Sequence, residues 1–385
     1  MRQGSWAGMR RAVVSAVGCG LMLLTGCSEF FTPVNNNPGS GTSSFVYVSN
    51  AGSTLAEYSL TSGVLAALSG SPITLPEAPT SIVVSPNNEF LYVGTALGVF
   101  MYTIGSDGTL TEGNDDTIIY LNASGLQVTS MVMDATGAWL IMAYQNSTEV
   151  DALPIDVTTG LAGTTVFSAN LSSSTTSPRL AMSPANTSLF ASLGAGGTEV
   201  IGFTPAATAT PFASSGTKIA VLSATSAATA AASDPSSTFL YITEASTAAT
   251  PVAGSLRMFA LATLGAELKG SPYPTGIGPS AILPDKSGAY VYVANSTDST
   301  LSGYTVNTTS QTVTALGSTI PTANTPIGLA EDSSKTYILA AGNGSNPNLF
   351  LYSFDASSAG VLDINTTTST STTNPAVANA IAVTH

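Results

Sequence analysis

The sequence predicts an all-β fold, a seven-bladed β-propeller closed by pairing of its N- and C-terminal half-blades. Three observations lead to this prediction: a repeat of about 50 residues, four strand-like segments within each repeat, and complementary partial repeats at the two ends. Four short strands separated by turns in every repeat are typical of propeller blades. The repeats show no 3.6-residue apolar rhythm, which excludes a helical solenoid.

The repeat is clearest in its first two strands and the turn between them. One unit begins A-P-T-S-I-V-V-S-P-N-N-E-F-L-Y-V-G-T at Ala78, and its parallel begins G-P-S-A-I-L-P-D-K-S-G-A-Y-V-Y-V-A-N at Gly278. In both, an apolar strand leads through a turn of Pro, Asn, Asp, Ser or Gly into an aromatic-rich strand. Unit starts lie near residues 79, 128, 178, 229, 279, 326 and 375.

The two ends of the repeat region complement each other. The region starts at F-V-Y-V-S-N (Phe45–Asn50), which matches the second strand of a unit, with no first strand before it. The chain stops at N-P-A-V-A-N-A-I-A-V-T-H, which matches a first strand alone. Pairing of these segments completes a seventh blade and covers a strand edge that would otherwise favour aggregation. An array of β-sandwiches is the alternative, but it does not explain the complementary ends.

Residues 1–26 have the features of a lipoprotein signal peptide. Arg2, Arg10 and Arg11 precede an apolar run that is too short to span a bilayer comfortably. The run ends in L-T-G-C (Leu24–Cys27), which resembles the bacterial lipobox. An ordinary signal peptide with a chance cysteine is the alternative interpretation.

The lipobox resemblance implies cleavage before Cys27 and attachment of lipid to its sulfur, giving stable membrane anchoring. Ser28 is not the aspartate that often retains such proteins in the inner membrane, so we expect an exported protein at the outer membrane or cell surface. Residues 27–44, rich in Asn, Gly, Pro and Ser, are expected to form a flexible tether. Residues 45–385 are then the propeller.

The chain beyond the signal peptide is strongly acidic. It carries six basic residues against 22 acidic ones, a charge of −16. This balance excludes nucleic acid as a partner, which would need clustered Lys and Arg, and it disfavours a polyanionic substrate. Cys19 leaves with the signal and Cys27 is lipidated, so the mature chain has no pair of cysteines for a disulfide.

The aromatic strands resemble a known repeat. Y-V-S-N (47–50), Y-V-G-T (92–95) and Y-V-A-N (292–295) look like the Tyr-Val-Thr-Asn repeat. Together with S-P-N-N-E-F-L-Y-V, they resemble propellers of the 6-phosphogluconolactonase and muconate-lactonising type. The resemblance covers nearly all of the chain after Ser44. It implies a lactonase-type seven-bladed propeller and, as an expectation about activity, a lactonase or carboxylic ester hydrolase.

The unit that starts at Ser177 contains the site that the resemblance implies. Enzymes of the family often carry Gly-Pro-Arg-His-x-x-Phe-x-Pro, and this unit reads S-P-R-L-A-M-S-P. Arg179 matches the arginine, and its planar guanidinium suits a carboxylate or an oxyanion. Leu180 replaces the histidine, so the group that would move a proton near neutral pH is absent. His385 is the only histidine in the chain, and we expect it to be a frayed terminal residue.

Other polar residues give weaker indications. Glu244 ends Y-I-T-E, where two other units have Asn50 and Asn295; it either faces the channel mouth or caps a turn. Asp115–Asp116 and Glu331–Asp332 offer oxygens for Ca²⁺, but they lack a regular ligand spacing and are expected to be solvated loop charges. No cluster of His and Cys indicates zinc, and no cofactor is expected.

The sequence therefore predicts a lipid-anchored, extracytoplasmic propeller that acts as a ligand- or protein-binding module. Its polar, weakly charged loops, rich in Thr and Asn, suit a saccharide or a protein partner. The alternative is a lactone or ester hydrolase that uses Arg179 and a carboxylate such as Glu244 on a neutral or weakly charged substrate.

Overall fold

The secondary structure consists of 31 strands and one turn of 3₁₀ helix, Leu261–Thr263, over the residues that the structure describes. It is a computed structural model, and it describes residues 43–112, 118–121, 125–206, 210–317, 319–344, 346–371 and 376–385. Within these ranges, no helix has the length and apolarity needed to cross a membrane.

The strands are, in chain order, β1 (Ser44–Asn50), β2 (Thr54–Thr61), β3 (Val64–Ala67), β4 (Ile73–Thr74), β5 (Ser81–Val84), β6 (Phe90–Gly94), β7 (Gly98–Ile104), β8 (Leu110–Glu112), β9 (Ile118–Leu121), β10 (Val128–Met133), β11 (Trp139–Tyr144), β12 (Glu149–Pro154), β13 (Phe167–Asn170), β14 (Arg179–Met182), β15 (Ser188–Ser192), β16 (Thr198–Phe203), β17 (Phe212–Ile219), β18 (Ser226–Ser233), β19 (Phe239–Ser246), β20 (Ala253–Ala260), β21 (Tyr273–Ile277), β22 (Pro279–Pro284), β23 (Tyr290–Asn295), β24 (Thr300–Asn307), β25 (Thr312–Ala315), β26 (Ile320–Pro321), β27 (Pro326–Glu331), β28 (Tyr337–Gly342), β29 (Leu349–Phe354), β30 (Leu362–Thr368) and β31 (Ala378–Val383).

These strands form seven antiparallel sheets in the described part of the chain, and each sheet is one blade. Blade 1 is composite, with the order β31-β1-β2-β3, whereas the other six follow the chain order from the inner to the outer strand. They are blade 2 (β5–β8), blade 3 (β10–β13), blade 4 (β14–β17), blade 5 (β18–β21), blade 6 (β22–β25) and blade 7 (β27–β30). The short strands β4, β9 and β26 pair with the third strands of blades 1, 2 and 6.

The innermost strands enclose a central channel. They neighbour one another in the closed order β31, β5, β10, β14, β18, β22, β27 and back to β31. An apolar cluster of buried residues fills each of the seven seams between neighbouring blades in the described ranges. The prediction of an all-β, seven-bladed propeller is confirmed, and its core lies between the blades because each sheet buries both faces.

The two ends of the propeller pair with each other, as the complementary repeats predict. Strand β31 runs antiparallel to β1, with Val383 opposite Val46. Beyond the strand, Phe45 N donates to Thr384 Oγ1 at 2.8 Å, and Thr384 N donates to Phe45 O at 3.0 Å. The expectation of a frayed His385 is wrong, because its N–H donates to Asn88 Oδ1 at 2.8 Å and its carbonyl accepts from Asn88 Nδ2 at 3.0 Å.

A repeated hydrogen bond explains the turn after each innermost strand. In six blades a Ser or Asp side chain accepts the N–H of the residue five positions later, and Thr384 does the same for Phe45 across the closure. An acceptor here is needed because the buried N–H would otherwise lose its hydrogen bond. The six pairs are Ser85–Phe90, Asp134–Trp139, Ser183–Ser188, Asp234–Phe239, Asp285–Tyr290 and Asp332–Tyr337.

The tyrosine of the Y-V-x repeat joins one blade to the next. Tyr47 Oη donates to Gly108 O at 2.8 Å, and Tyr92 Oη donates to Gly160 O at 3.0 Å. Both glycines have positive φ, 83° and 71°, a conformation that glycine adopts without steric penalty. The D-G-T-L and T-T-G-L turns therefore supply an acceptor for the tyrosine of the preceding blade.

Candidate functional site

One position in each innermost strand lies four residues before the turn-capping side chain and is occupied by a small residue in six blades. In blade 4 the same position is Arg179, the only charged residue of the set. The small residues are Ser81, Ser130, Ala230, Ala281, Gly328 and Ala380. Because the internal repeat makes these positions structurally equivalent, Arg179 is a departure that packing of the ring does not require.

The Arg179 side chain reaches across the central channel. Its Nη1 atom donates to Ile327 O at 3.4 Å, and Ile327 belongs to blade 7, which is not a neighbour of blade 4 in the ring. The side chain is exposed to water in the channel, yet the surrounding walls desolvate it and lower the pKa of the guanidinium. Arginine stays protonated even so.

Arg179 has no partner of opposite charge in the described part of the chain. Both ion pairs found among the described residues involve Arg257 instead. A cation in a confined channel, held only by one long hydrogen bond to a carbonyl, retains donors for an anion or a developing oxyanion. Arg179 is therefore the chemically distinctive group of the channel.

The polar side chains at the start of the other innermost strands use their donors within the wall. Each donates to a main-chain carbonyl of its own blade or of the next one, so these donors are already occupied. The bonds run from Thr80 to Gly94 O (2.9 Å), Thr129 to Ala143 O (3.2 Å), Thr229 to Thr243 O (3.2 Å), Ser280 to Pro326 O (2.6 Å) and Asn379 to Pro79 O (2.7 Å).

Leu180 points away from the channel. Its side chain is 8% exposed and belongs to the apolar cluster between blades 3 and 4, and its N–H donates to Ser130 Oγ at 2.9 Å. Successive side chains of a strand alternate between two faces, so Arg179 enters the channel and Leu180 enters the seam. The position that holds histidine in the family's motif is here part of the core.

Glu244 is placed in an ion pair, away from solvent. It is 2% exposed, and its Oε1 lies 2.6 Å from Arg257 Nη1 while its Oε2 accepts the N–H of Leu222 at 2.9 Å. Arg257 also pairs with Glu267 at 2.6 Å. No hydrogen bond among the described residues joins Glu244 to Arg179. The carboxylate caps the segment between β17 and β18 and is fully engaged there.

The expectation that Glu331–Asp332 are solvated loop charges is wrong, because both side chains are more than nine-tenths buried. Asp332 caps its turn, whereas Glu331 accepts the N–H of Lys286 at 2.6 Å on Oε2 and leaves Oε1 without a partner. Burial raises the pKa of Glu331 to about 7. The described residues contain no group of three or more His, Cys, Asp or Glu arranged to hold a metal. Cys27 and Asp115–Asp116 lie outside the described residues.

Glu199 is a buried carboxylate that the sequence analysis does not single out. It lies on β16 opposite Ala191, which corresponds to the valine of the Y-V-x repeat when the blades are aligned on their turn caps. Strand order and pairing are needed to set this register. The residues at the equivalent position of the other six blades are of mixed type: Ala56, Phe100, Asp151, Arg257, Ser302 and Phe350.

Comparison with known proteins finds similarity to seven-bladed propellers. The family model described as lactonase, 7-bladed beta-propeller, matches residues 233–377. No curated protein matches the chain significantly.

Solved structures with the same fold cover nearly the whole propeller. One is a protein of Bacteroides fragilis provisionally assigned as a 6-phosphogluconolactonase, with a TM-score of 0.64 and 15% identity, covering 90% of this chain and 100% of that one. Another is a periplasmic gluconolactonase of Pseudomonas aeruginosa, with a TM-score of 0.65 and 16% identity, covering 89% and 99%. At these identities the likeness establishes the fold. The closed ring of seven blades makes the described chain a seven-bladed β-propeller, and residues 233–377 are similar in sequence to the lactonase family.

Proposed function

We propose that the chain is a lactone hydrolase whose site is the part of the central channel that contains Arg179. The observation that carries the proposal is the guanidinium itself: it crosses the channel, has no carboxylate partner among the described residues and replaces a small residue of the repeat. The similar structures named as gluconolactonases support the same reaction class. Function resides in the site and not in the fold, so the proposal depends on Arg179.

The chemistry of a lactone suits an unpaired guanidinium. Water adds to the carbonyl carbon of the cyclic ester, the ring C–O bond then breaks, and the product is a hydroxy acid. Negative charge develops on the carbonyl oxygen during the addition, and donors that are already positioned stabilise it. Arg179 supplies such donors and afterwards pairs with the product carboxylate. Because it stays protonated, its role is electrostatic and it does not accept the proton of water.

The charge of the chain favours a neutral substrate. Only six basic residues follow residue 26, and the positions equivalent to Arg179 in the other blades are uncharged. A phosphorylated substrate brings about two negative charges and needs several cations around it. We therefore propose an uncharged lactone as the substrate class.

Ligand binding without turnover is the second candidate function. The observation in its favour is Leu180, which occupies the histidine position of the family's motif and packs in the seam between blades. No histidine or carboxylate among the described residues is hydrogen-bonded to Arg179. A carboxylate-bearing ligand would then be held by the guanidinium and released unchanged.

Turnover of neutral lactones by the full chain separates the two candidates. We expect wild-type protein to hydrolyse at least one lactone of a panel that includes glucono-δ-lactone, measured as acid release in a pH-stat. Arg179→Ala should lower kcat/KM by about 10²-fold, the usual effect of removing one oxyanion donor. Arg179→Lys, which keeps the charge but not the planar fork, should retain part of the activity.

Calorimetry with gluconate gives the complementary measurement. Saturable, Arg179-dependent binding of gluconate without turnover of any lactone would establish the second candidate in place of the first. Turnover that is equal in wild type and Arg179→Ala would overturn the assignment of the site.

We also propose that the protein is anchored at the cell envelope through lipid on Cys27, since L-T-G-C follows a short apolar run. Labelling of cells with a radioactive fatty acid should mark wild-type protein and not Cys27→Ala. Equal labelling of both would contradict the anchor.

A further inference from the structure

A cavity of about 290 Å³ lies between blades 3 and 4, away from the central channel. Strand β13 forms one wall, and β16 and β17 form the other. Its lining combines one carboxylate, one amide, several hydroxyls and one aromatic ring: Glu199, Asn170, Ser168, Ser214, Ser215 and Phe212. The volume equals that of roughly ten molecules of liquid water, enough for a monosaccharide.

Glu199 is the charged group of this cavity, and its side chain is 6% exposed. Burial of a carboxylate is unfavourable unless hydrogen bonds compensate for the lost hydration. The equivalent position of the other blades holds Ala, Phe, Ser, Asp or Arg, so the packing of the ring does not require a carboxylate here.

Only one of the two oxygens of the Glu199 carboxylate accepts a hydrogen bond from the described residues. Oε2 accepts the N–H of Ser172 at 2.7 Å, whereas Oε1 accepts no hydrogen bond from the described residues. Oε1 faces Gly216 on β17, and a Cβ atom on that glycine would lie 2.6 Å from it. The glycine therefore leaves space open next to the unused acceptor.

The local strand pairing also keeps the cavity open. The ladder between β16 and β17 is interrupted between Ile201 and Phe203, so that the segment 213–215 of β17 is not paired in register. A bulge of this kind bends the strand away from its partner. The small polar side chains of the segment then line the cavity and do not fill it.

The charges around the cavity favour a neutral ligand. Lys218 stands directly opposite Glu199 in the β16–β17 ladder, where side chains of one face lie close together. Its ammonium group donates to Ser173 Oγ at 3.4 Å at the surface and offsets the carboxylate. A cationic ligand would therefore meet no net negative charge.

We propose that this cavity binds a neutral saccharide of monosaccharide size. Glu199 Oε1 accepts hydrogen bonds from the sugar hydroxyls. Hydrogen bonds to a charged acceptor are stronger than those to a neutral one. The serine hydroxyls and the Asn170 amide can both donate and accept hydrogen bonds, as the hydroxyl groups of a sugar do. Phe212, buried at 6% exposure, supplies an apolar wall for the C–H face of the sugar ring. This site is separate from Arg179 and does not depend on the proposed hydrolase activity.

Removal of the Glu199 carboxylate tests the proposal. Saturation-transfer NMR and calorimetry with D-glucose and N-acetyl-D-glucosamine should detect binding to the full wild-type chain. Glu199→Leu should weaken it at least about tenfold, the effect of losing a hydrogen bond to a charged group. Glu199→Gln, which removes the charge but keeps an acceptor for the Ser172 N–H, should unfold close to the wild-type temperature and still bind the sugars more weakly than wild type.

Two further variants keep the test decisive. Gly216→Ala closes the space beside Oε1 and should weaken saccharide binding with the carboxylate still present. Glu89→Leu, which removes an exposed acid on the turn between β5 and β6, is the matched control and should bind saccharide as wild type does. The proposal is overturned if wild type binds neither sugar, if Glu199→Leu binds as well as wild type, or if tetramethylammonium binds in place of the sugars.

Discussion

At the scale of single residues, function is indicated where a side chain departs from its six equivalents. Arg179 replaces Ser, Ala or Gly. Glu331 is a second departure, because the position before the turn cap is otherwise uncharged: Val84, Met133, Met182, Ser233, Pro284 and Val383. Each places a charge where the packing of the ring requires none.

Glu331 makes the stability of the fold depend on pH. Its pKa rises from 4.5 to about 7, mainly through burial, with Asp285 and Asp332 adding to the rise and Lys286 opposing it. The folded protein therefore holds a proton that the unfolded chain releases, and stability is lost as the pH rises through this interval. Glu331→Gln should be more stable than wild type by on the order of 1–2 kcal/mol at pH 8, and equally stable at pH 4.5.

Urea unfolding at the two pH values measures this difference. Glu89→Gln, which changes an exposed acid, is the matched control and should follow wild type at both. A difference for Glu331→Gln that is the same at pH 4.5 and pH 8 would contradict titration of Glu331.

At the scale of the element, the innermost strands and the turns that follow them hold the ring together. Thr384 performs across the chain ends what Ser or Asp performs within each of the other blades. Loss of the Thr384 bond loosens the closure between β31 and β1, whereas loss of the equivalent bond in another blade loosens only one hairpin. Closure therefore depends on the side chain of the penultimate residue of the sequence.

Removal of the Thr384 hydroxyl should destabilise the fold. Thr384→Val keeps the shape but leaves the part-buried Phe45 N–H without its acceptor, and loss of such a hydrogen bond reduces the free energy of unfolding by about 1 kcal/mol. Thr336→Val, at an exposed turn position, should change it by less than about 0.5 kcal/mol. Equal effects in urea unfolding would show that the Thr384 bond does not contribute to closure.

At the scale of the whole molecule, the internal repeat made the fold predictable and the site only partly so. Seven blades and terminal closure follow from the repeat because every unit carries a Ser, Asp or Thr turn cap followed by an apolar strand, which has the Y-V-x form in three of the blades. Arg179 is recognisable because it lies in a motif with fixed spacing. The partner of Glu244 is not, since Arg257 reaches it from the next strand and no spacing rule connects a carboxylate to a guanidinium across a ladder.

The sequence by itself determined the architecture, the acidic charge of the chain and Arg179 as the candidate residue, because periodicity and composition are local properties. Only the tertiary structure decided which polar groups are engaged and which are free. It pairs Glu244 with Arg257, buries Leu180 in a seam, extends Arg179 towards Ile327 across the channel and leaves one oxygen of Glu199 facing a cavity. These relations join residues far apart in the chain, and they exist only once the blades are packed into a ring.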